Sequence, residues 1–287
     1  MSTQETLYSV PLDLQTKFIF STSGSASSIV RHNDAIRKLG LNLVYFTIAD
    51  DITPESYAAL IKSPIARGAA VTGRGGLKST IIPFLDEVEP LAMKTQAVNT
   101  VVNNSGKLYG YNSDAIGLKT ALIKGLETFG SDIKTAVIYG NGGVSGVAFH
   151  VLLELGIKVT MVGRNPQRVE EKKRQLGLEH ISHFEGPYDL VVDATPISSN
   201  PDFLTAMGLQ ELLNGCKMVF CHNMPEKDHK INYLEQYCTN HGICFVPGKW
   251  MYNAQLAKQY RLLFEGYCKP DGSTITEQNI LETWGIH

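Results

Sequence analysis

Apolar and polar positions along the chain follow two patterns that alternate from residue 16 onwards. Short apolar runs predict strands over residues 16–21, 43–48, 69–72, 97–102, 108–112, 136–139, 158–163, 189–194 and 218–221. Apolar residues at helical spacing predict helices over residues 29–39, from 53, and over 114–126, 147–155 and 255–266. Strands that alternate with helices in this way indicate an α/β fold with largely parallel sheets.

One predicted strand and the helix after it are joined by a glycine-rich turn at residues 140–145. Gly140 allows the tight turn, and Gly142 lets the backbone approach a pyrophosphate beside the helix N-terminus. Ser145 holds the last position of the G-x-G-x-x-G pattern and is small enough for close packing of helix on strand. Because a second predicted strand, residues 158–163, follows at the expected distance, the turn predicts a dinucleotide-binding site.

The end of that second strand indicates which dinucleotide is bound. NAD-preferring units place an Asp or Glu there to bind the ribose 2′-hydroxyl. This chain instead has Gly163 followed by Arg164, with Arg168 one helical turn further on. Because a guanidinium group suits a phosphate and no carboxylate stands there to repel it, the sequence predicts a preference for NADP.

Composition narrows the class of protein. A length of 287 residues is enough for two domains, and a net charge of −2 without long charged runs gives no reason to expect nucleic acid or an anionic membrane surface as a partner. The cysteines follow no C-x-x-C spacing and are expected to be reduced, mostly buried thiols; they are Cys216, Cys221, Cys238, Cys244 and Cys268. We therefore expect a cytoplasmic enzyme that uses no metal and does not enter the membrane.

Several separated motifs occur in one order. They are Lys78-Ser-Thr-Ile-Ile-Pro-Phe-Leu-Asp, Gln96-Ala-Val-Asn99-Thr-Val, Gly110-Tyr-Asn-Ser-Asp114-Ala-Ile-Gly117, the Gly140 turn, Gly163-Arg164-Asn165, Asp193-Ala-Thr195-Pro196 and Gly248-Lys-Trp-Met251-Tyr-Asn-Ala-Gln255. Their order and spacing resemble the shikimate dehydrogenase family, including its quinate-using and paralogous branches, from Ser25 to Gly266.

The resemblance implies a division of the chain. Residues 1–117 would form an N-terminal α/β substrate domain, and residues 118–248 a Rossmann-like, doubly wound parallel-sheet domain that binds NADP. Residues 249–287 would form C-terminal helices that return to the first domain. The protein is expected to be a monomer or a homodimer.

The resemblance also implies an activity, the transfer of a hydride between nicotinamide and a ring hydroxyl of shikimate, quinate or a related cyclic hydroxy acid. The implied catalytic residues are Lys78 and Asp114. The implied substrate-binding residues are Ser25, Ser27, Thr72, Asn99 and Gln255. The implied cofactor-binding residues are Gly140, Asn141, Gly142, Gly143, Val144, Ser145, Arg164, Asn165, Arg168, Thr195 and Gly248.

The expected chemistry needs a group that handles a proton, because the hydroxyl must lose one as hydride leaves its carbon. A lysine in water titrates near ~10.4, too high for an efficient base unless it is desolvated, whereas a nearby Asp114 would hold Lys78 charged. The pair would therefore either relay a proton or stabilise developing alkoxide charge. Asp114 also stands where a helix N-cap is expected.

Three departures from the family pattern concern the substrate. The Ser25-Ala-Ser27-Ser28 segment lacks the usual proline, so its serines would bind a carboxylate only after a one-residue shift, or else merely cap a helix. The loop between Thr72 and Lys78 is two residues longer than usual. Asn223 stands where the family carries a tyrosine. These departures leave open a second reading, a nucleotide-binding regulatory paralogue that has lost turnover.

Overall fold

The computed structural model describes residues 12–22, 26–48, 51–72, 76–130, 132–177, 186–202, 208–224 and 230–286. The chain forms two compact units, residues 1–112 with 257–287 and residues 113–256. The sequence-based limits at 117/118 and 248/249 differ from these because helices continue across them. The helix Ser113–Phe129 lies wholly in the second unit, and the helix Gly248–Leu263 is divided between the two.

A mixed sheet forms the centre of the first unit. Its strands are Lys17–Ser21 (β1), Leu43–Thr47 (β2), Ala66–Ala70 (β3), Glu87–Val88 (β4), Thr100–Asn104 (β5) and Lys107–Tyr111 (β6). The order is β2-β1-β3-β5-β6-β4, with β1 parallel to β2 and β3, and β5 antiparallel to β3 and β6. The helices of this part are Ala26–Lys38 (α1), Pro54–Lys62 (α2), Leu77–Thr80 (α3) and Pro90–Thr95 (α4), with a 3₁₀ turn at Ile82–Phe84.

The second unit contains a wholly parallel sheet. Its strands are Thr135–Tyr139 (β7), Lys158–Val162 (β8), Leu190–Asp193 (β9), Met218–Cys221 (β10) and Cys244–Pro247 (β11). The strand order is β11-β10-β9-β7-β8. From β7 the chain adds β8 on one side and then β9, β10 and β11 on the other, which makes the sheet doubly wound. Its helices are Ser113–Phe129 (α5), Gly143–Glu154 (α6), Pro166–Gln175 (α7), Leu209–Leu213 (α8) and Tyr233–Asn240 (α9), with a 3₁₀ turn at Ile197–Ser199. The fold class expected from the sequence is confirmed.

The chain ends in the helices Gly248–Leu263 (α10) and Glu277–Thr283 (α11). Tyr260 of α10 and Trp284, just after α11, both bond to Nδ1 of His32 on α1, at 2.8 and 3.0 Å. The second half of α10 and the end of α11 therefore pack on α1 within the first unit. His32 is buried among these aromatic rings.

Two strands are displaced from their predicted positions. The third runs over Ala66–Ala70 instead of 69–72, and the fifth over Thr100–Asn104 instead of 97–102. An apolar run predicts which residues are buried but not which residues pair. The pairing depends on the turn at Ser105, where φ is +52°, and on the antiparallel register with β6. The C-terminal helix also differs, since it begins at Gly248 and ends at Leu263 rather than spanning 255–266.

Local sequence explains the better-predicted elements. Thr53 caps α2 as expected, its hydroxyl accepting a hydrogen bond from the Ser56 amide at 3.2 Å, and Pro54 occupies the first helical position. No helix in the described part of the chain is both long and apolar enough to cross a bilayer.

Candidate active site

The glycine turn predicted from sequence follows β7, the strand at which the strand order of the second sheet reverses. Gly140 has φ of +114°, and a Cβ atom there would lie 2.7 Å from Cγ2 of Thr195, so a side chain is excluded both by conformation and by packing. Gly142 is the N-cap of α6. Because glycine has no side chain, it cannot cap the first amides of the helix, which are left for another acceptor. Such a turn at the carboxyl ends of parallel strands is the usual place of a dinucleotide pyrophosphate.

The rest of the turn packs the helix onto the sheet. Asn141 and Val144 are half-buried, whereas Ser145 is fully buried and its hydroxyl donates to the Gly142 carbonyl at 2.5 Å. Gly143, the first residue of α6, is exposed. The small Ser145 side chain thus performs the packing role that the pattern assigns to its last position.

The arginines expected to select the cofactor stand after β8. Arg164 and Arg168 are both exposed, and Asn165 between them caps α7 by accepting from the Arg168 amide at 3.1 Å. Arg164 also lies near Tyr139, whose pKa is raised mainly by burial and lowered in part by this guanidinium. Two solvent-facing cations here fit the 2′-phosphate of NADP.

Asp193, at the end of β9, belongs to one of the motifs and holds Thr195 in place. Its carboxyl is buried and accepts from the Thr195 amide at 3.0 Å and from the Thr195 hydroxyl at 2.6 Å. Burial raises the pKa of Asp193 to about 6, against the opposing effect of these bonds. The carboxyl fixes Thr195 in the position where its methyl group meets Gly140.

A cavity of about 70 Å³ in the second unit collects the predicted residues at the ends of α5 and α10. Its lining consists of Asp114, His222, Met224, Gly248, Met251, Tyr252 and Gln255. Gln255 donates to the Ser113 hydroxyl at 3.2 Å, which places its amide beside the first turn of α5. A Cβ at Gly248 would lie 2.5 Å from the His222 carbonyl, so α10 can begin this close to β10 only with glycine.

In the first unit, Thr72 and Asn99 lie together at one end of the sheet. The Val71 amide donates to the Asn99 carbonyl at 2.8 Å, and the Thr72 hydroxyl is 2.9 Å from the hydroxyl of Thr22, which follows β1. Asn99 is only 2% exposed. Strand ends far apart in sequence thus place polar side chains side by side.

Lys78 joins the same end of the sheet. The Val98 amide donates to the Lys78 carbonyl at 2.8 Å, which holds α3 against the residue before Asn99. On the other side, the Gln259 amide donates to the Asn99 carbonyl at 3.0 Å. The Lys78 side chain is half-buried.

Not every expected residue is brought into these groups. Ser27 lies in the first turn of α1, directly after β1, whereas Ser25 falls outside the described residues. Lys78 lies in the first unit and Asp114 in the second.

The structure places Asn223, at the family's tyrosine position, beside the turn that follows β9. The Asn223 side chain donates to the Ser198 hydroxyl at 2.9 Å and is thereby held to the turn after β9, whereas its neighbour His222 lines the cavity with Asp114. No signal in the sequence identifies His222, Thr22 or Gln259, because none of them belongs to one of the motifs.

Comparisons with known proteins show which family this chain resembles. The family described as "Shikimate dehydrogenase substrate binding domain" matches residues 23–101. Shikimate dehydrogenase (NADP(+)) of Bacillus cereus (strain B4264) is 30% identical over 190 residues, which cover 62% of this chain and 67% of that protein.

Solved structures show the same fold over nearly the whole chain. A shikimate 5-dehydrogenase-like protein has a TM-score of 0.72 at 23% identity and covers 96% of this chain and 98% of its own. Shikimate 5-dehydrogenase from Thermus thermophilus, solved with NADP(H) and shikimate, has a TM-score of 0.69 at 23% identity and covers 94% of this chain and 98% of its own.

Proposed function

The chain belongs to the shikimate dehydrogenase family, and from this premise we propose that it transfers a hydride between NADP and a ring hydroxyl of shikimate, quinate or a related cyclic hydroxy acid. The observation that carries the proposal is the Gly140 turn, which packs on Thr195 at the reversal of the parallel sheet, with Arg164 following the neighbouring strand.

NADP, when bound, supplies the hydride acceptor. The amides at the start of α6, beside Gly142 and Gly143, would hold the pyrophosphate, and Arg164 and Arg168 the 2′-phosphate. Thr195 and Gly248 follow β9 and β11, at the same edge of the sheet, and belong to the same site in this proposal. The glycine conformation, the uncapped helix start and the exposed guanidinium groups all fit this cofactor.

We assign the proton chemistry to Lys78 and Asp114. As the carbinol carbon loses hydride, its hydroxyl must lose a proton, so a cationic donor and a carboxylate acting together lower the barrier. In this proposal Lys78 donates to the developing alkoxide or accepts its proton, and Asp114 is the carboxylate that acts with it. Both roles require the two residues to act in the same step.

Substrate binding falls to polar residues that do not take part in hydride transfer. In this proposal Thr72, Asn99 and Gln255 form hydrogen bonds to the ring hydroxyls. The carboxylate is bound by Ser25 and Ser27. Hydroxyl and amide groups suit this task because each can donate and accept, and because a buried anion requires donors around it. His222 replaces Asn223 in our proposal as the side chain that shapes the cavity beside Asp114.

The test is a panel of cyclic hydroxy acids, shikimate and quinate among them, assayed with NADP and with NAD by the absorbance of the reduced nicotinamide. The proposal expects steady turnover on at least one ring acid, faster with NADP, and its loss in Lys78→Met. If NADP binds but no ring acid is turned over, the proposal fails and the regulatory reading takes its place.

A further inference from the structure

The first unit contains a second cavity, of about 580 Å³, that none of the residues assigned above lines. Lys17, the first residue of β1, lies at its wall, whereas Thr22, just beyond the other end of β1, contacts Thr72. At ~3.3 Å per residue, Lys17 and Thr22 are ~16 Å apart along the strand direction. The cavity therefore lies at the end of the strands opposite to the proposed substrate residues.

Its charge is positive although the chain as a whole is slightly acidic. Lys17, Lys62 and Arg67 come from three different elements and line the cavity, and no lining residue in the described part of the chain is an Asp or Glu. The nearest ion pair joins Nζ of Lys62 to the Asp86 carboxylate at 3.9 Å, with both side chains well exposed. A pair so long and so solvated cancels little of the lysine charge.

Arg67 supplies a fixed cation. Its guanidinium donates to the carbonyls of Leu263 at 2.5 Å, Glu265 at 2.8 Å and Leu262 and Asn103 at 3.3 Å each. Most of its donors are thus committed to the end of α10, where a cation also meets the negative end of the helix dipole. Arg67 holds the wall in place and contributes charge, so contacts to a ligand fall to the lysines.

The lysines have donors to spare. Nζ of Lys17 donates to the Pro64 carbonyl at 2.6 Å, which leaves further N–H groups of the ammonium. The remaining wall is partly apolar, since it includes Pro64, Ala66 and the ring of Tyr267, whose centroid lies 5.5 Å from the Arg67 guanidinium. Ligand sites combine such apolar walls with a few charged groups, usually in ~300–1,000 Å³.

We propose that this cavity binds a small organic anion, with its phosphate or carboxylate group between Lys17 and Lys62 and its apolar part against Tyr267. The site is separate from those of the substrate and of NADP, and the proposal does not depend on the proposed function.

The experiment is an NMR titration of the full chain, kept saturated with NADP so that the arginine site is filled. The probes are phenyl phosphate, benzoate and inorganic phosphate, and the readout is the backbone amide shifts of residues 104–106, which line the cavity. The test variant is Lys17→Gln/Lys62→Gln. The matched control is Lys38→Gln/Lys94→Gln, which removes the same charge from exposed positions of the same unit outside the cavity.

Phenyl phosphate or benzoate should shift these amides saturably, and the test variant should weaken binding on the order of tenfold while the control does not. The tighter of the two probes identifies the anionic group. Inorganic phosphate should bind more weakly than phenyl phosphate, because it has nothing to place against Tyr267. Absence of saturable shifts, equal losses in both variants, or equal binding of inorganic phosphate would overturn the proposal.

Discussion

The proposed cofactor turn and the proposed substrate end of the first sheet are built in opposite ways. The turn comes from one stretch of residues, 140–145, whose backbone conformation and packing against Thr195 are set locally. The proposed substrate end gathers Thr22, Thr72 and Asn99 from separate connections. The Thr22 and Thr72 hydroxyls are 2.9 Å apart, and the Val71 amide donates to the Asn99 carbonyl at 2.8 Å. A single added atom should therefore disrupt the turn, whereas the substrate end should respond to losses of specific side-chain groups.

The largest expected effect concerns the substrate side. Lys78→Met and Asp114→Asn should each lower kcat by ~10²–10⁴-fold, because positioned proton-handling or electrostatic groups contribute that much. The double variant should be little worse than the worse single, since groups acting as a unit are not additive. Steady-state kinetics with NADP binding measured separately checks this, and Lys94→Met serves as the surface control. Fully multiplicative losses would show that the two residues act independently.

The next effect tests the turn. Gly140→Ala should weaken NADP binding strongly and destabilise the fold by ~1–3 kcal/mol, because an alanine would adopt a strained conformation and meet Thr195. Gly156→Ala is the matched control, since Gly156 also has positive φ, at +73°, but has no atom within 4 Å of an added Cβ. The control should lose some stability and no NADP affinity, as measured by calorimetry and urea unfolding. Equal loss of NADP affinity in both variants would refute a specific role for this turn.

Arg164→Ala should reduce the ratio of NADP to NAD efficiency by ~10–100-fold, because hydrogen bonds to charged groups contribute ~1.5–3 kcal/mol. Arg174→Ala, an exposed arginine in the last turn of α7, is the control and should leave the ratio unchanged. An unchanged ratio in Arg164→Ala would mean that another group selects the cofactor.

A smaller effect should separate His222 from Asn223. His222→Tyr should change KM for the ring acid several-fold, since His222 lines the cavity with Asp114, and leave the KM for NADP nearly unchanged. Asn223→Tyr should act mainly on stability, because it breaks the bond to Ser198. The reverse pattern would restore Asn223 as the substrate-facing residue at the family's tyrosine position.

The smallest effect is on stability and pH. Burial lowers the pKa of His32 to about 3, and Arg31 acts in the same direction. The unfolded chain takes up this proton below pH ~6.5 while the folded chain does not, so the contribution is fully present above pH ~6.5 and is lost as pH falls towards 3. From pH 7 to pH 5 the free energy of unfolding should fall by about 2 kcal/mol through His32, and by less in His32→Gln. Urea unfolding of both proteins at both pH values measures this. An equal fall in the free energy of unfolding in the wild-type protein and in His32→Gln would refute it.

Features that depend on one contiguous stretch could be predicted from the sequence, whereas features assembled from distant segments could not. The Gly140 turn and Arg164 could be read from the chain because a dinucleotide site needs a contiguous pattern, and the strand before the turn is placed within one residue. Asn99 was identifiable through its motif, but its partner Gln259 was not, nor was Thr22, the partner of Thr72, since hydrogen bonds between distant segments leave no periodic trace. His32 shows the same limit, because only the return of Tyr260 and Trp284 makes its position a buried one.

The most direct test of the central claim follows the hydride itself. A ring acid that the protein turns over is prepared with deuterium on the carbon that bears the reacting hydroxyl, and the reduced nicotinamide is analysed by NMR. The account predicts that the deuterium appears on the nicotinamide ring of NADPH with the wild-type protein, and that transfer nearly stops in Lys78→Met although NADP still binds. Product without deuterium on the nicotinamide, or undiminished transfer in Lys78→Met, would contradict it.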